Sequence, residues 1–114
     1  MHHRWGKERR ILKSLEIKNV QSNGRAWRCK YFIVKRLDSI SSRVAFTVSK
    51  KVGCAPIRNK IKRLLREILR KKFLPKMDLV FIVYRQARFA TLQDFEKNVD
   101  RFILDVEAQQ SGNK

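Results

Sequence analysis

Eight cationic side chains and one acid fall within residues 58–72: Arg58, Lys60, Lys62, Arg63, Arg66, Arg70, Lys71 and Lys72 against Glu67. The apolar residues between them, Ile61, Leu64, Leu65, Ile68 and Leu69, follow the i, i+3, i+4, i+7, i+8 spacing that turns one side of a helix into core. At roughly 100° per residue, Asn59, Lys60, Arg63, Arg66, Arg70 and Lys71 then project from the opposite side, with Lys62 on the flank. Rows of guanidinium and ammonium groups one turn apart do the chemistry of anion recognition. Arginine forks onto phosphate oxygens and lysine supplies point charge. Without counter-charge such a row repels itself, so the spacing calls for a polyanion.

Material for making or breaking covalent bonds is scarce. The only histidines, His2 and His3, stand side by side near the N-terminus, which leaves nothing from which to build a histidine acid–base or nucleophilic site. Asp94, Glu96, Asp100, Asp105 and Glu107 share one predicted helix and flank its apolar stripe, the pattern of a solvated face rather than of a Mg²⁺ site. Cys29 and Cys54 lack the number and the CxxC spacing of a structural zinc site and read as free thiols. Neither phosphate-loop motif, GxxxxGK[ST] or GxGxxG, is present. The expectation is therefore no catalytic residue, no metal ligand and no cofactor bound by the protein alone.

The charge is unevenly spread. Of 28 Lys and Arg against 10 Asp and Glu, residues 1–88 hold 25 basic and 5 acidic side chains, and residues 89–114 hold 3 and 5. The positive field thus belongs to the first three-quarters of the chain, and the last segment reads as a structural cover. Nucleic acid, an anionic membrane and an acidic protein are the partners such a field attracts. No apolar run approaches the ~20 residues needed to span a bilayer, and the start lacks the apolar stretch of a secretory signal. A cytoplasmic protein with no membrane partner is expected. Lys50-Lys51, the group Arg25, Arg28 and Lys30, and the group Lys7, Arg9, Arg10 and Lys13 extend the basic surface. Trp27 and Tyr31, interleaved among these cations, are of the type that stacks on unpaired bases.

The elements that must position these groups follow from periodicity. A first helix is predicted over residues 7–21, with Ile11, Leu12, Leu15, Ile17 and Val20 apolar, stopped by a left-handed cap at Asn23 or Gly24. Residues 28–36 and 43–49 alternate as strands and are expected to form an antiparallel hairpin. Phe32 and Val34 take one face of the first strand, and Tyr31, Ile33 and Lys35 the other. A short extra strand is possible near Ala26-Trp27. Pro56 opens the basic helix, which is predicted to run to about Phe73. Residues 78–85 read as a central strand buried on both faces. Thr91 and Asp94 then make a capping-box-like start to a last helix carrying Phe95, Val99, Phe102, Ile103 and Val106, which frays from Gln109. The fold class is α+β: one domain, a two-layer sandwich with a three- to four-stranded sheet on helices, in the order α-β-β-(β)-α-β-α. Residues 7–109 form the domain, with tails at 1–6 and 110–114.

The run Val48-Ser49-Lys50-Lys51-Val52-Gly53-Cys54-Ala55-Pro56-Ile57-Arg58-Asn59-Lys60-Ile61-Lys62-Arg63-Leu64-Leu65-Arg66-Glu67 resembles the signature of the bacterial-type ribonuclease P protein component. In that family a Ser-Lys-Lys-x-Gly loop leads into a helix bearing Arg-Asn-Arg-x-Lys-Arg. Asn23-Gly24 before a Tyr-Phe strand, Asp78 opening an apolar strand and the final helix follow the family's order, over roughly residues 7–107. The resemblance implies a fold shared with the second domain of a small-subunit ribosomal protein, including a left-handed β-α-β crossover. It also implies an accessory subunit, one per RNA, of an endoribonuclease ribonucleoprotein whose catalytic RNA uses Mg²⁺ to hydrolyse the 5′ leader from precursor tRNA.

By that resemblance Ser49, Lys50, Lys51, Gly53, Arg58, Asn59, Lys60, Lys62, Arg63 and Arg66, with Arg70 continuing the row, face the RNA subunit. A cleft of Ile17, Gln21, Tyr31, Ile33 and Lys35 takes the 5′ leader. Lys60 replaces the family's arginine, keeping charge but losing the fork, and Cys54 replaces its usual asparagine. Ile17, Gln21 and Lys35 stand where the family often has aromatics, so the leader is expected to be held by charge more than by stacking. The alternative of another class is a small ribosomal or ribosome-associated structural RNA-binding protein, which would share the charge, the size and the lack of catalytic groups.

Overall fold

A computed structural model describes residues 13–72 and 74–112. In chain order it contains α1 (Ser14–Asn23), β1 (Arg25–Arg28), β2 (Phe32–Asp38), β3 (Arg43–Val48), α2 (Ala55–Arg70), β4 (Met77–Val83), a short 3-10 helix (Arg85–Phe89) and α3 (Leu92–Gly112). The strands form one mixed sheet in the order β1-β2-β4-β3. Together these make the single α+β domain that the patterning predicts.

The pairing differs from the expected hairpin. β2 and β3 are not neighbours, because β4 lies between them, antiparallel to β2 and parallel to β3. The hairpin of this fold is β1–β2, with Trp27 opposite Val34. Leu79, Val80 and Phe81 are all fully buried. Consecutive apolar residues of this kind need cover on both faces and on both edges, so β4 takes the centre. Alternation assigns faces to β2 and β3 but does not choose their partners. The 39–42 link crosses beneath β4, where the Ser39 N–H donates to the Lys76 carbonyl at 3.1 Å and the Ser42 hydroxyl to Pro75 at 2.7 Å.

One sheet face carries the main core. Phe32, Val34, Val44, Val48, Leu79, Phe81 and Val83 meet Ile61, Leu65, Ile68 and Leu69 of α2 and Phe95, Val99, Phe102, Ile103 and Val106 of α3. Each fully buried side chain of this size contributes about 1.5–3 kcal/mol, which fixes a strongly charged helix to the sheet. On the other face α1 lays Ile17 and Val20 against Leu37, Ala45, Val80 and Ile82. The two layers thus gain a partial third.

Ion pairs tie these layers together. Arg43 donates from Nε and Nη2 to both carboxylate oxygens of Asp78, at 3.0 and 2.9 Å, and from Nη2 to Glu16 of α1 at 2.9 Å. Lys72, just past α2, meets Asp100 at 2.9 Å and Glu96 at 3.5 Å on α3. Thr91 and Asp94 form the expected reciprocal cap, Thr91 N–H to Asp94 at 2.9 Å and Asp94 N–H to Thr91 Oγ1 at 3.2 Å. The first of these bonds holds the Asp94 carboxyl below its usual range.

Several boundaries shift. Of the first predicted helix, residues 7–12 lie outside the described residues, as does the 1–6 tail, and α1 begins at Ser14. Gly24 caps α1 in an extended conformation, φ −79° and ψ 156°, not the left-handed one expected. A glycine is nonetheless required there, because a Cβ would stand 2.4 Å from the Val20 carbonyl oxygen and 2.8 Å from that of Arg36. α2 stops at Arg70, where the Lys71 N–H closes onto the Ile68 and Leu69 carbonyls; Phe73, its predicted end, lies outside the described residues. α3 runs past Gln109 to Gly112.

Candidate nucleic-acid interface

The loop before α2 is built to present its lysines. Val52 is fully buried, and its N–H bonds the Ser49 carbonyl at 3.1 Å. Ser49, Lys50 and Lys51 are left exposed on the resulting turn. Gly53 has no positive φ; its small size is what matters, since a Cβ would press on the Ile57 side chain at 3.0–3.1 Å. Cys54 occupies the N-cap with no side-chain capping bond, and Pro56 falls in the first turn, where a missing N–H costs nothing.

Along α2, Ile61, Leu65, Ile68 and Leu69 face the core while Asn59, Lys60, Arg63 and Arg70 are exposed. Asn59, Arg63, Arg66 and Arg70 succeed one another at steps of three or four residues and so form one line along the helix. Arg58, Lys62 and Arg66 are half-buried. Arg66 departs from the free projection expected of it, because its guanidinium lies 5.8 Å from the centre of the Phe46 ring, a cation–π contact that restrains it. Arg58 Nε is buried with no hydrogen-bond acceptor among the described residues.

The electrostatic contrast within the molecule is sharp. Among the described residues, the ion pairs use Arg43 and Lys72. Hydrogen bonds to Asp78 and Glu16 push the Arg43 guanidinium above its ordinary value, and the bond to Asp100 does the same for Lys72. None of Lys50, Lys51, Arg58, Lys60, Lys62, Arg63, Arg66 and Arg70 has a carboxylate partner there. Nor is any group of three or more His, Cys, Asp or Glu side chains placed to hold a metal ion, among the described residues.

The second group of expected site residues divides. Ile17 and Gln21 lie on α1, and Ile33 and Lys35 project from the face of β2 opposite Phe32 and Val34, all of them half-buried. Ile33 and Lys35 therefore point to the side that α1 covers, with Ile82 of β4 opposite Ile33 in register. Ile17 is committed to packing against the buried cluster of Val20, Ala45 and Val80. Tyr31 does not join them. β2 starts only at Phe32, so the alternation that placed Tyr31 with Ile33 does not extend to it, and its ring packs edge-on against Phe95 at 6.0 Å on the main core. Trp27 is likewise engaged, edge-on to Phe102 at 5.6 Å and donating its indole N–H to Asp105 at 2.7 Å.

The fold adds residues that the sequence reading left unassigned. β3 and β4 run parallel and finish together at Val48 and Val83. The 3-10 helix that follows β4 therefore shares one end of the sheet with the Ser49–Lys51 turn. Arg85, Arg88 and Phe89 are exposed there, with the Arg88 guanidinium 5.3 Å from the Phe89 ring centre. Two arginines and an aromatic directly after an apolar strand were the available signal.

A family model described as Ribonuclease P matches residues 6–107 of the 114. The chain belongs to the ribonuclease P protein family. Among curated relatives, a ribonuclease P protein component from Thermus thermophilus is 46% identical over 78 residues, which cover 68% of this chain and 48% of that protein. The chain thus spans about half the length of the Thermus relatives it matches. One from Clostridioides difficile is 33% identical over 99 residues, covering 82% of this chain and 87% of the relative. In three dimensions, the chain superimposes on the Staphylococcus aureus RNase P protein with a TM-score of 0.78 at 26% identity, over 89% of this chain and 96% of that one. The Thermotoga maritima RNase P protein, at 22% identity and a TM-score of 0.75, shares the fold over 82% of this chain and 94% of its own. No helix among the described residues is long and apolar enough to cross a membrane.

Proposed function

We propose that this chain is the RNA-binding protein subunit of a ribonuclease P ribonucleoprotein, assisting a catalytic RNA in endonucleolytic removal of the 5′ leader from precursor tRNA. The single observation that carries the reading is the cationic row on α2, which has no carboxylate partner among the described residues, in a chain that belongs to this family. Lys50, Lys51, Lys60, Lys62, Arg63 and Arg70 neutralise phosphates of the RNA subunit, and the counterions released drive association. Arg66, held beside the Phe46 ring, is partly restrained before it meets a phosphate, which lowers the ordering cost of binding. An acceptor on the RNA reaching Arg58 would relieve a donor whose burial without a partner costs about 1–3 kcal/mol.

The leader is taken on the opposite sheet face, along Lys35 and Ile33 beside α1 with Gln21. With Tyr31 half-buried against Phe95 on the other face of the sheet, charge at Lys35 does more of the holding than stacking. Lys35→Ala then weakens leader binding more than Ile17→Ala does in a folded sample; the reverse order would remove the charge-based reading. The protein's part is positioning: one rigid domain holds RNA subunit and leader in fixed relation. In this proposal hydrolysis, and the Mg²⁺ it uses, belong to the RNA side. One protein per RNA and a cytoplasmic location complete the proposal.

Reconstitution tests it. Precursor tRNA, the RNA subunit and low Mg²⁺ are combined with and without the protein, and 5′ cleavage is followed. Stimulation by the protein supports the reading. Binding to ribosomal RNA with no stimulation would instead make it a structural ribosome-associated protein.

A further inference from the structure

On the β1 edge of the sheet, far from the β3 edge that feeds α2, lies a cleft of about 410 Å³ between the β1–β2 hairpin and the C-terminal part of α3. Arg25 and Arg36 are directly opposed in the β1–β2 register, and both line this cleft together with Trp27, Asp105 and Gln109. Opposed residues on one face stand about 4.5–5.5 Å apart at Cβ, and like charges so placed are destabilising. The charge of Asp38, on β2, offsets this repulsion only in part, acting less strongly on Arg36 than Arg25 does. Arg36 donates to the neutral amide oxygen of Gln109 and weakly, at 3.7 Å, to the Met77 sulfur. Asp105 is the one carboxylate among the lining residues, and its Oδ2 is bonded to the Trp27 indole. Burial, and next the charge of Arg25, hold the Arg36 guanidinium below its ordinary pKa.

We infer that this cleft binds a phosphate-class oxyanion, gripped between the Arg25 and Arg36 guanidiniums, as a free ion or as the backbone phosphate of a single strand. Two forks approaching one tetrahedral group from adjacent strands satisfy its oxygens and cancel the repulsion between the arginines. Trp27, with its indole N–H fixed by Asp105, forms the wall beside that group and reports on its arrival. The site is independent of the α2 row, so its failure would leave the proposed function standing.

Nitrogen-15 NMR of the tryptophan indoles tests the site, with the Trp27 signal assigned by its loss in Trp27→Phe. Inorganic phosphate and a five-nucleotide single-stranded RNA are titrated separately. A saturable shift of the Trp27 indole is expected, weakened at least tenfold by Arg25→Ala and by Arg36→Gln and unchanged in Arg63→Glu/Arg70→Glu. A response to phosphate assigns a free anion, and a response to RNA alone assigns a backbone phosphate. Arg25 is exposed on an edge strand, so its substitution leaves the fold intact, and Arg36→Lys, which keeps the charge, retains part of the response. No movement of the Trp27 signal with either probe, or a shift that survives both arginine substitutions, overturns the inference.

Discussion

Arg43 and Arg63 carry the same guanidinium in one small domain, yet their surroundings are opposite. Arg43 is half-buried at the seam between α1, β3 and β4, where it gives three hydrogen bonds to two carboxylates. Arg63 is exposed on α2, in a line of cations that has no carboxylate partner among the described residues. The first arrangement spends its donors inside the protein and holds the fold. The second keeps them available and accepts self-repulsion, which costs stability until a polyanion arrives. A cation's partner set thus separates structural from binding roles more cleanly than its place in a basic stretch does.

The largest expected effect breaks the binding half of this contrast. Arg63→Glu/Arg70→Glu lowers affinity for the RNA subunit roughly 10- to 100-fold at physiological salt, with the melting temperature unchanged or raised, as gel shift and calorimetry would show. A fall in melting temperature matching that of a core variant would place these residues in the structural set. Next comes the converse. Arg43→Ala leaves Glu16 and Asp78 unpaired, with Asp78 14% exposed, and is expected to cost about 1–3 kcal/mol in denaturant unfolding. Its RNA-subunit affinity stays within about threefold of the wild type, provided the sample is folded. Arg66 joins the two roles, so Arg66→Ala should lose affinity and also about 0.5–1 kcal/mol of stability through the Phe46 contact. Equal stability of Arg66→Ala and wild type would move Arg66 fully into the binding set.

The sequence made the helix faces legible because their period is strong. Ile61, Leu65, Ile68 and Leu69 are buried as their spacing predicts, and Thr91 and Asp94 cap α3 as their types predict. Strand partners were not legible, since alternation in β2 and β3 is compatible with pairing each other or a third strand. The unbroken apolar run of β4 held the deciding information: buried on both faces, it must be central. Tyr31 falls outside the alternation for a local reason: the predicted strand 28–36 takes in the end of β1 and the turn after it, and β2 begins only at Phe32. At the Asn23-Gly24 stop the pattern leaves the capping residue open, and crowding by the Val20 and Arg36 carbonyls, not a left-handed cap, is what requires Gly24. The Arg43 network was invisible because Glu16, Arg43 and Asp78 are brought together only by the sheet order.

The central claim is that the free cations of α2, and not the protein's charge as a whole, dock the RNA. The most direct measurement is the salt dependence of RNA-subunit binding for wild type, Arg63→Glu/Arg70→Glu and Arg43→Ala. If about six phosphates are neutralised, log K against log[salt] falls with a slope of about −4 to −5. The account predicts that the α2 variant flattens this slope by about 2, while Arg43→Ala, which removes one charge of the same kind, leaves it unchanged. Equal flattening by both variants, or none by either, would contradict it.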